Sequence, residues 1–246
     1  MRLHLASDLL AASDLFYASP DGIWELRPQI PATEGVVSYL HPTEYSAIVF
    51  NAPALANKLA SAPLEFTNEA AYAPLAISLP TPEHGFSRFA VVQSPIMDPV
   101  LAAQFPDILT YSGQGIDDPA ATVRFDLTPA GFHAQILSPS GAFYIDPYWH
   151  LDDSVYISYF KRDLTRSSDM IFVEGPMDDP IGKPADGLAK LDASNAVATM
   201  SLESINLSRS GAQLRTYRLA NAATGEYTAF HGGTVALGQA AIVTAI

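Results

Sequence analysis

The sequence predicts an α+β fold that combines an antiparallel β-meander, one or two short helices and a later strand–helix unit. Three observations predict it. Apolar and polar residues alternate over Thr122–Thr128, which is the period of a half-buried antiparallel strand. Turn sequences that contain Pro and Gly separate this segment from further short apolar segments. The last residues, 232–246, form an apolar run with the length of a helix.

Most of the strand signals lie in residues 46–162. Ser46–Phe50 is a short apolar segment, and Asn51 is placed to cap a helix that continues through Leu59. Residues 81–85 resemble a turn between two apolar segments, which predicts a hairpin. The other predicted elements are a short helix that opens at Asp98-Pro99 and strands at 74–79, 86–93, 122–128, 132–137, 142–146 and 155–161.

Composition divides the chain into four regions. Residues 1–45 form an irregular leader punctuated by prolines, and residues 46–162 form the β domain. Residues 163–213 are rich in Ser, Asp, Gly and Pro, which is typical of a linker or processing region. Residues 214–246 then contain an alternating strand, Leu214–Leu219, a loop and the final helix.

The charge balance excludes two classes of partner. The chain has 26 acidic and 13 basic residues and a formal net charge of −13. Nucleic-acid binding and attachment to anionic membranes both need a basic surface, so we expect neither. No window approaches the roughly 20 apolar residues of a membrane span. The chain has no cysteine, which excludes disulfides, thiolate metal ligands and cysteine nucleophiles.

The N-terminus resembles a secretory signal only superficially, because Asp8 and Asp14 interrupt its apolar stretch. No catalytic motif is evident, and no two histidines lie close enough for a zinc helix of the HExxH type. His133 alternates with apolar neighbours and is expected on the wetter face of its strand. The strongest local candidate for a cation or acid–base site, with a solvated loop as the alternative, comprises Asp146, His150, Asp152 and Asp153.

Residues Tyr111–Pro147 resemble the propeptide of reprolysin-like metzincin zinc proteases. The shared features are a glycine-containing strand, a V-x-L-like strand, a turn with a G-[LF]-x-[AG]-x-[IL] segment, and a G-x-x-Y-x-I-x-P-like hairpin. Residues 211–246 are similar to the first strand and helix of the catalytic domain in the bacterial branch of that family. In this sequence the propeptide features fall on Gly113, Gly115, Val123, Leu127, Gly131, Phe132, Ala134, Ile136, Gly141, Tyr144, Ile145 and Pro147.

The resemblance implies a pro-region of a secreted zinc metalloendopeptidase that acts as a folding template and a cleft-blocking inhibitor. Residues 214–246 would be the incomplete start of an α/β metzincin domain, truncated before its zinc motif. The partner would be the downstream protease domain in cis, and Zn²⁺ is implied only for that domain. No catalytic, cofactor-binding or metal residue is assigned, so enzymatic activity stays open. Arg209 is the only basic residue in 204–212 and marks the predicted processing site.

The alternative function is a self-contained extracellular β-rich binding module without enzymatic activity. Its acidic loops at Asp117-Asp118 and Asp152-Asp153 would contact a cation or a partner. The two hypotheses differ at the C-terminus. The module predicts that the final helix packs onto the meander as one cooperative unit, whereas the pro-region predicts that residues 211–246 fray or expose apolar surface.

Overall fold

The computed structural model describes residues 17–30, 37–164 and 219–246. The chain divides into two compact units. The first unit contains residues 1–166 and 221–246, and the second contains residues 167–220. Only Leu219 and Ala220 of the second unit are described, so the fold reported below is that of the first.

The described residues form one antiparallel sheet of nine strands with a few short helices. The strand order is β1-β2-β9-β8-β7-β6-β5-β4-β3. The strands are β1 (Trp24–Arg27), β2 (Ser46–Phe50), β3 (Leu75–Pro80), β4 (Phe86–Gln93), β5 (Leu109–Gly115), β6 (Thr122–Thr128), β7 (Gly131–Ser138), β8 (Gly141–Trp149) and β9 (Asp152–Phe160). The helices are α1 (Ala52–Leu59), α2 (Asn68–Tyr72), α3 (Pro99–Ala102), α4 (Gly225–Phe230) and α5 (Val235–Ala245), with a single 3₁₀ turn at Lys161–Asp163.

From β3 to β9 every strand pairs with the next strand along the chain. A short turn joins β6 to β7, where Thr128 pairs with Gly131. Gly131 has a φ of 108°, a backbone conformation that residues with a side chain rarely adopt. A Cβ atom there would also lie 2.6 Å from Tyr156 Oη, so this turn requires glycine.

The sheet curls until its two ends approach each other. Ser46 Oγ, in β2, donates to the carbonyl oxygen of Pro82 just beyond β3, at 2.9 Å. Ser158 Oγ, in β9, donates to the carbonyl oxygen of Pro80 at 3.1 Å. The backbone N–H of Ser78, in β3, donates to Asp21 Oδ2 at 3.3 Å, close to the start of β1. The result is a nearly closed, rolled sheet with an inner and an outer face.

The inner face holds the hydrophobic core. Helix α1 closes it, because Leu55 and Leu59 lie one turn apart and are both buried in the same cluster as the strands. Aromatic rings fill much of the interior: the centroids of Trp24 and Phe132 lie 5.1 Å apart. The largest fully buried side chains are Trp24, Tyr156, Phe89, Phe132, Ile48, Leu55, Ile77, Leu79, Ile136, Ile145, Ile157 and Val91.

The meander is where the sequence predicted it. The structure confirms the strand Ser46–Phe50, the helix capped by Asn51 and the hairpin around residues 81–85. The helix that opens at Asp98-Pro99 is also present as α3. Strand β1 lies within the segment in which the sequence showed no strand.

The predicted fold class is wrong. The described part of the chain is a single rolled antiparallel sheet with few helices, not an α+β prodomain followed by the start of an α/β metzincin domain. The reason lies in residues 221–246, which form two helices in the same compact unit as the sheet. Only Leu219 of the predicted strand Leu214–Leu219 is described, and the processing site Arg209 and most of the linker lie outside the described residues. Within the described ranges no helix has the length and apolar character needed to cross a membrane.

Candidate functional site

The outer face of the sheet carries an ionisable cluster on three adjacent strands. Asp126 in β6 is directly opposite His133 in β7. Asp146 in β8 lies one residue beyond the paired Ala134 and Ile145, which places it beside His133. Since side chains alternate between faces along each strand, these three groups share the face opposite to the core. They form a row across the sheet.

Two hydrogen bonds organise this row. His133 Nδ1 and Asp126 Oδ1 are 3.3 Å apart, and their side chains are 20% and 8% exposed. The phenol of Tyr159, in β9, donates to Asp146 Oδ2 at 2.8 Å. We call Asp126, His133, Asp146 and Tyr159 the ionisable cluster. It is a partly desolvated network rather than a surface ion pair.

Burial and mutual charge shift the protonation of the cluster. Burial raises the pKa of Asp146, and the nearby Asp126 adds to this, while His133 and Tyr159 partly oppose it. For His133, burial lowers the pKa, but the bond to Asp126 and the charges of Asp126 and Asp146 outweigh it, so the pKa is raised. The pKa of Tyr159 is raised by burial and by Asp146, which keeps its phenol protonated as a donor.

Helix α5 packs against the sheet beside this cluster. Ala240 and Val243 are buried together with Ile108, and Met97, Phe105 and Ala130 pack against them. Thr234 caps the N-terminus of the helix, because its hydroxyl accepts a hydrogen bond from the Leu237 N–H at 3.2 Å. None of its residues, VALGQAAIVTA, is ionisable. Helix α5 therefore packs through apolar side chains, and it supplies no charged side chain that could pair with the ionisable cluster.

Two clefts flank α5, and both are lined by His133 and Asp146. The first, which we call the polar cleft, has a volume of about 490 Å³. Its other lining groups include Thr110, Arg124, Gln135, Tyr144 and the end of α5. The second, which we call the aromatic cleft, has a volume of about 600 Å³. Tyr39, Tyr148, Trp149, His150 and Leu237 line it, together with Asp152 and Asp153.

The aromatic cleft is built where three segments of the unit meet. The rings of Tyr148 and Trp149 are 4.5 Å apart in an edge-to-face arrangement. The His150 ring lies 5.0 Å from Tyr39 and 4.4 Å from Phe230 of α4. Trp149 Nε1 and His150 Nε2 are buried and have no hydrogen-bond partner among the described residues. Buried polar atoms are normally paired, so the indole N–H of Trp149 lacks an acceptor and His150 Nε2 lacks a partner of either kind among the described residues.

A second histidine pair in the structure has a structural role. Ser46 Oγ and His84 Nδ1 are 2.9 Å apart, a distance suited to a serine–histidine pair. Ser46 is fully buried, however, and its oxygen also accepts from the backbone N–H of His84 at 2.9 Å. The cleft beside this pair is lined by His84 but not by Ser46. The pair ties the β3–β4 turn to β2.

The structure brings together the candidate residues that the sequence grouped. Asp146, His150, Asp152 and Asp153 all line the aromatic cleft, and Asp146 also belongs to the ionisable cluster. In the part of the chain that the structure describes, no group of these side chains is arranged to hold a metal ion. Asp117 accepts from Arg88 at 2.6 and 2.9 Å, so this acidic loop is tied to β4. Asp126, Tyr159, Arg124 and Tyr39 were not singled out from the sequence.

His133 lies on the outer face, as predicted, but its surroundings are drier than expected, since α5 covers part of that face. Comparisons with known proteins identify no relative: no protein-family model matches this chain, and neither a curated protein nor a solved structure does.

Proposed function

We propose that the chain is a self-contained binding module whose ligand site is the outer sheet face beside α5. One observation carries the proposal. Helix α5 packs onto the sheet within one compact unit, with Ala240 fully buried and Val243 almost so. The module hypothesis predicts this packing, whereas a frayed C-terminus would leave those side chains in water.

The chemistry of the site favours binding over catalysis. Ligand sites are typically concave and combine apolar walls with a few convergent polar groups. Both clefts combine apolar walls with a few polar groups, and His133 and Asp146 line both of them. His133 is hydrogen-bonded to Asp126. Among the described residues no hydroxyl is hydrogen-bonded to the His133 ring, as the hydroxyl of a nucleophile activated by histidine would be.

The experiment is nuclear magnetic resonance mapping on the full chain with a mixed set of neutral, anionic and cationic fragments. The proposal expects binders to shift amide signals clustered in β6, β7, β8 and α5. A Gln135→Ala variant should lose part of the shifts from the polar cleft, and a Tyr72→Ala variant, whose side chain is far out in solvent, should retain all of them. Fragments that bind only elsewhere would overturn the proposal.

The pro-region of a secreted reprolysin-like protease stays a prediction. So do its cis partner domain, the Zn²⁺ implied for that domain and the secretion of the chain. Adding the purified chain to an active enzyme of that family tests it, because a pro-region should inhibit peptide hydrolysis at stoichiometric concentrations. Unchanged hydrolysis with the chain in excess would contradict the prediction.

A further inference from the structure

The ionisable cluster lacks one positive charge whenever both of its carboxylates are ionised. Asp126 and Asp146 then carry two negative charges, and a protonated His133 supplies one positive charge. His133 is hydrogen-bonded to Asp126, whereas the recorded partner of Asp146 is the neutral phenol of Tyr159. Asp146 is therefore the carboxylate of the row without a bonded cation. A desolvated carboxylate without a counter-ion is costly, and a bound cation would relieve that cost.

The aromatic cleft is the side from which a cation can reach Asp146. The described residues that line it include no lysine and no arginine, and they include Asp152 and Asp153 besides Asp146. The pKa of His231, which also lines it, is lowered by burial and by the neighbouring histidines, so this ring is neutral near pH 7. The polar cleft is less suited, since the exposed guanidinium of Arg124 lines it.

The walls of the aromatic cleft suit the apolar part of such a ligand. Tyr39, Tyr148 and Trp149 are electron-rich rings, and cations bind favourably over the faces of such rings. The ring planes of Tyr148 and Trp149 are inclined at 69° to each other, so the two rings form a corner. The net charge of −13 also favours the approach of a cation over that of an anion.

We infer that the aromatic cleft binds a small organic amine, with its ammonium group at Asp146 and its apolar part against Tyr148 and Trp149. The inference rests on the proposed binding function and names its ligand class. A volume of about 600 Å³ accommodates a molecule with one aromatic ring and a short alkyl chain.

Binding of the amine displaces the proton that burial favours on Asp146. The carboxyl O–H gives its proton to solvent, and the resulting carboxylate accepts a hydrogen bond from the ammonium group. Affinity should therefore rise with pH as Asp146 deprotonates. The other titratable groups that face Asp146 or line the cleft are Asp126, His133, Tyr159, Tyr39, Tyr148, His150, His231, Asp152 and Asp153. Helix α5 adds none.

The test is isothermal titration calorimetry of the full chain with phenethylamine and with phenethyl alcohol, which has the same shape without the charge. We expect the amine to bind at least about tenfold more tightly, the typical effect of a charge-assisted hydrogen bond. Asp146→Asn should weaken the amine by about tenfold and leave the alcohol unchanged. Asp107→Asn is the matched control, because Asp107 is exposed and lies outside both clefts.

Circular dichroism establishes that each variant is folded. If Asp146→Asn does not fold, titration of the wild-type chain with the amine in two buffers of different ionisation enthalpy replaces it, since proton release is then read from the heats. Equal affinity for the amine and the alcohol, or no proton release across the acidic range, would overturn the inference. Neutral fragments that bind the cleft when the amine does not would overturn the inference alone. Failure of fragments of every charge to bind at either cleft would overturn the proposed function too.

Discussion

Strands β6, β7 and β8 have two faces that differ in burial and in chemistry. On the inner face Phe125, Phe132 and Ile145 pack among apolar neighbours. On the outer face the same strands present Asp126, His133 and Asp146 to an apolar helix. The inner face follows the usual rule for a core, whereas the outer face buries groups whose desolvation opposes folding. The inner face therefore stabilises the fold, and the outer face is the one to which we assign the proposed binding function.

The sharpest test of this contrast is Phe132→Ala. Phe132 is fully buried and contacts Trp24 and Phe125, so its removal leaves a large cavity. We expect a loss of about 3–5 kcal/mol in the free energy of unfolding, measured by denaturant titration. Leu137→Ala is the control on the outer face of the same strand, where the side chain is 50% exposed. It should change stability by less than about 1 kcal/mol, and equal losses would remove the contrast.

Helix α5 provides the next test, because the outer face beside the ionisable cluster is shielded from solvent only if this helix packs firmly on the sheet. Ala240→Leu places three extra carbon atoms at a fully buried position. We expect a loss of about 1–3 kcal/mol, with sheet and helix still unfolding in one transition by circular dichroism and tryptophan fluorescence. Ala245→Leu, at an exposed position of the same helix, should be nearly neutral. A helix that melts before the sheet in the wild-type chain would contradict the one-unit description.

His133→Gln tests the outer face directly. The substitution leaves Asp126 without its charged partner, and we expect a loss of about 1–2 kcal/mol near pH 6. The pKa of His133 is raised above its ordinary value of 6.5, so its contribution is complete below that value and is lost as pH rises through the raised pKa. The charged groups that face it are Asp126 and Asp146, and His231 also interacts with it.

Denaturant titrations of the wild type and the variant from about pH 5 to 9, which is the range in which histidines titrate, measure the difference in their free energies of unfolding. The gap between the two proteins should shrink as pH rises. A gap that is constant or grows with pH would mean that the Asp126–His133 interaction does not depend on the imidazolium.

Asp146→Asn should have the smallest effect on stability, within about 1 kcal/mol of wild type. Burial raises the pKa of Asp146 above its ordinary value of 3.8, so the ionised form is disfavoured in the folded chain. The protonated Asp146 carboxyl therefore contributes to the stability of the wild type at low pH, and this contribution is lost as pH rises from about 3.8 through the raised pKa. The variant has an amide at this position, which does not titrate, so its stability shows no such loss. Thermal unfolding at pH 4 and pH 7 should show the variant gaining relative to wild type, and a large loss at neutral pH would show that the carboxylate supports the fold.

Local patterns in the sequence predicted the meander well. The alternation of Thr122–Thr128 and the turn at residues 129–131 are sufficient to place β6 and β7. The same turn also fixes the register, and that register pairs Asp126 with His133. The signal for half of the cluster was therefore present, but nothing local in the sequence relates the cluster to helix α5, which packs beside it. The closure of the sheet depends on contacts between Ser46, Ser158 and residues 80–82, which are far apart along the chain.

The glycines that carry the resemblance to metzincin propeptides have a role in this sheet itself. A Cβ atom on Gly113 would lie 2.6 Å from Val91 Cγ1 and 2.8 Å from the Ala90 carbonyl oxygen. Gly131 is required by its turn. Strands packed this closely need glycine at such points regardless of the function of the chain. The pattern of glycines is therefore evidence about the fold rather than about the function.

The ends of the rolled sheet also have a consequence for the behaviour of the chain in concentrated solution. Exposed strand edges invite other chains to add a strand, which is a common route to aggregation. Here β1 is only four residues long, and along β3 the Ser78 N–H is occupied by Asp21 while Pro80 has no N–H to offer. A chain of which 48% of residues are hydrophobic thus offers, in its described part, little edge on which a fibril could grow.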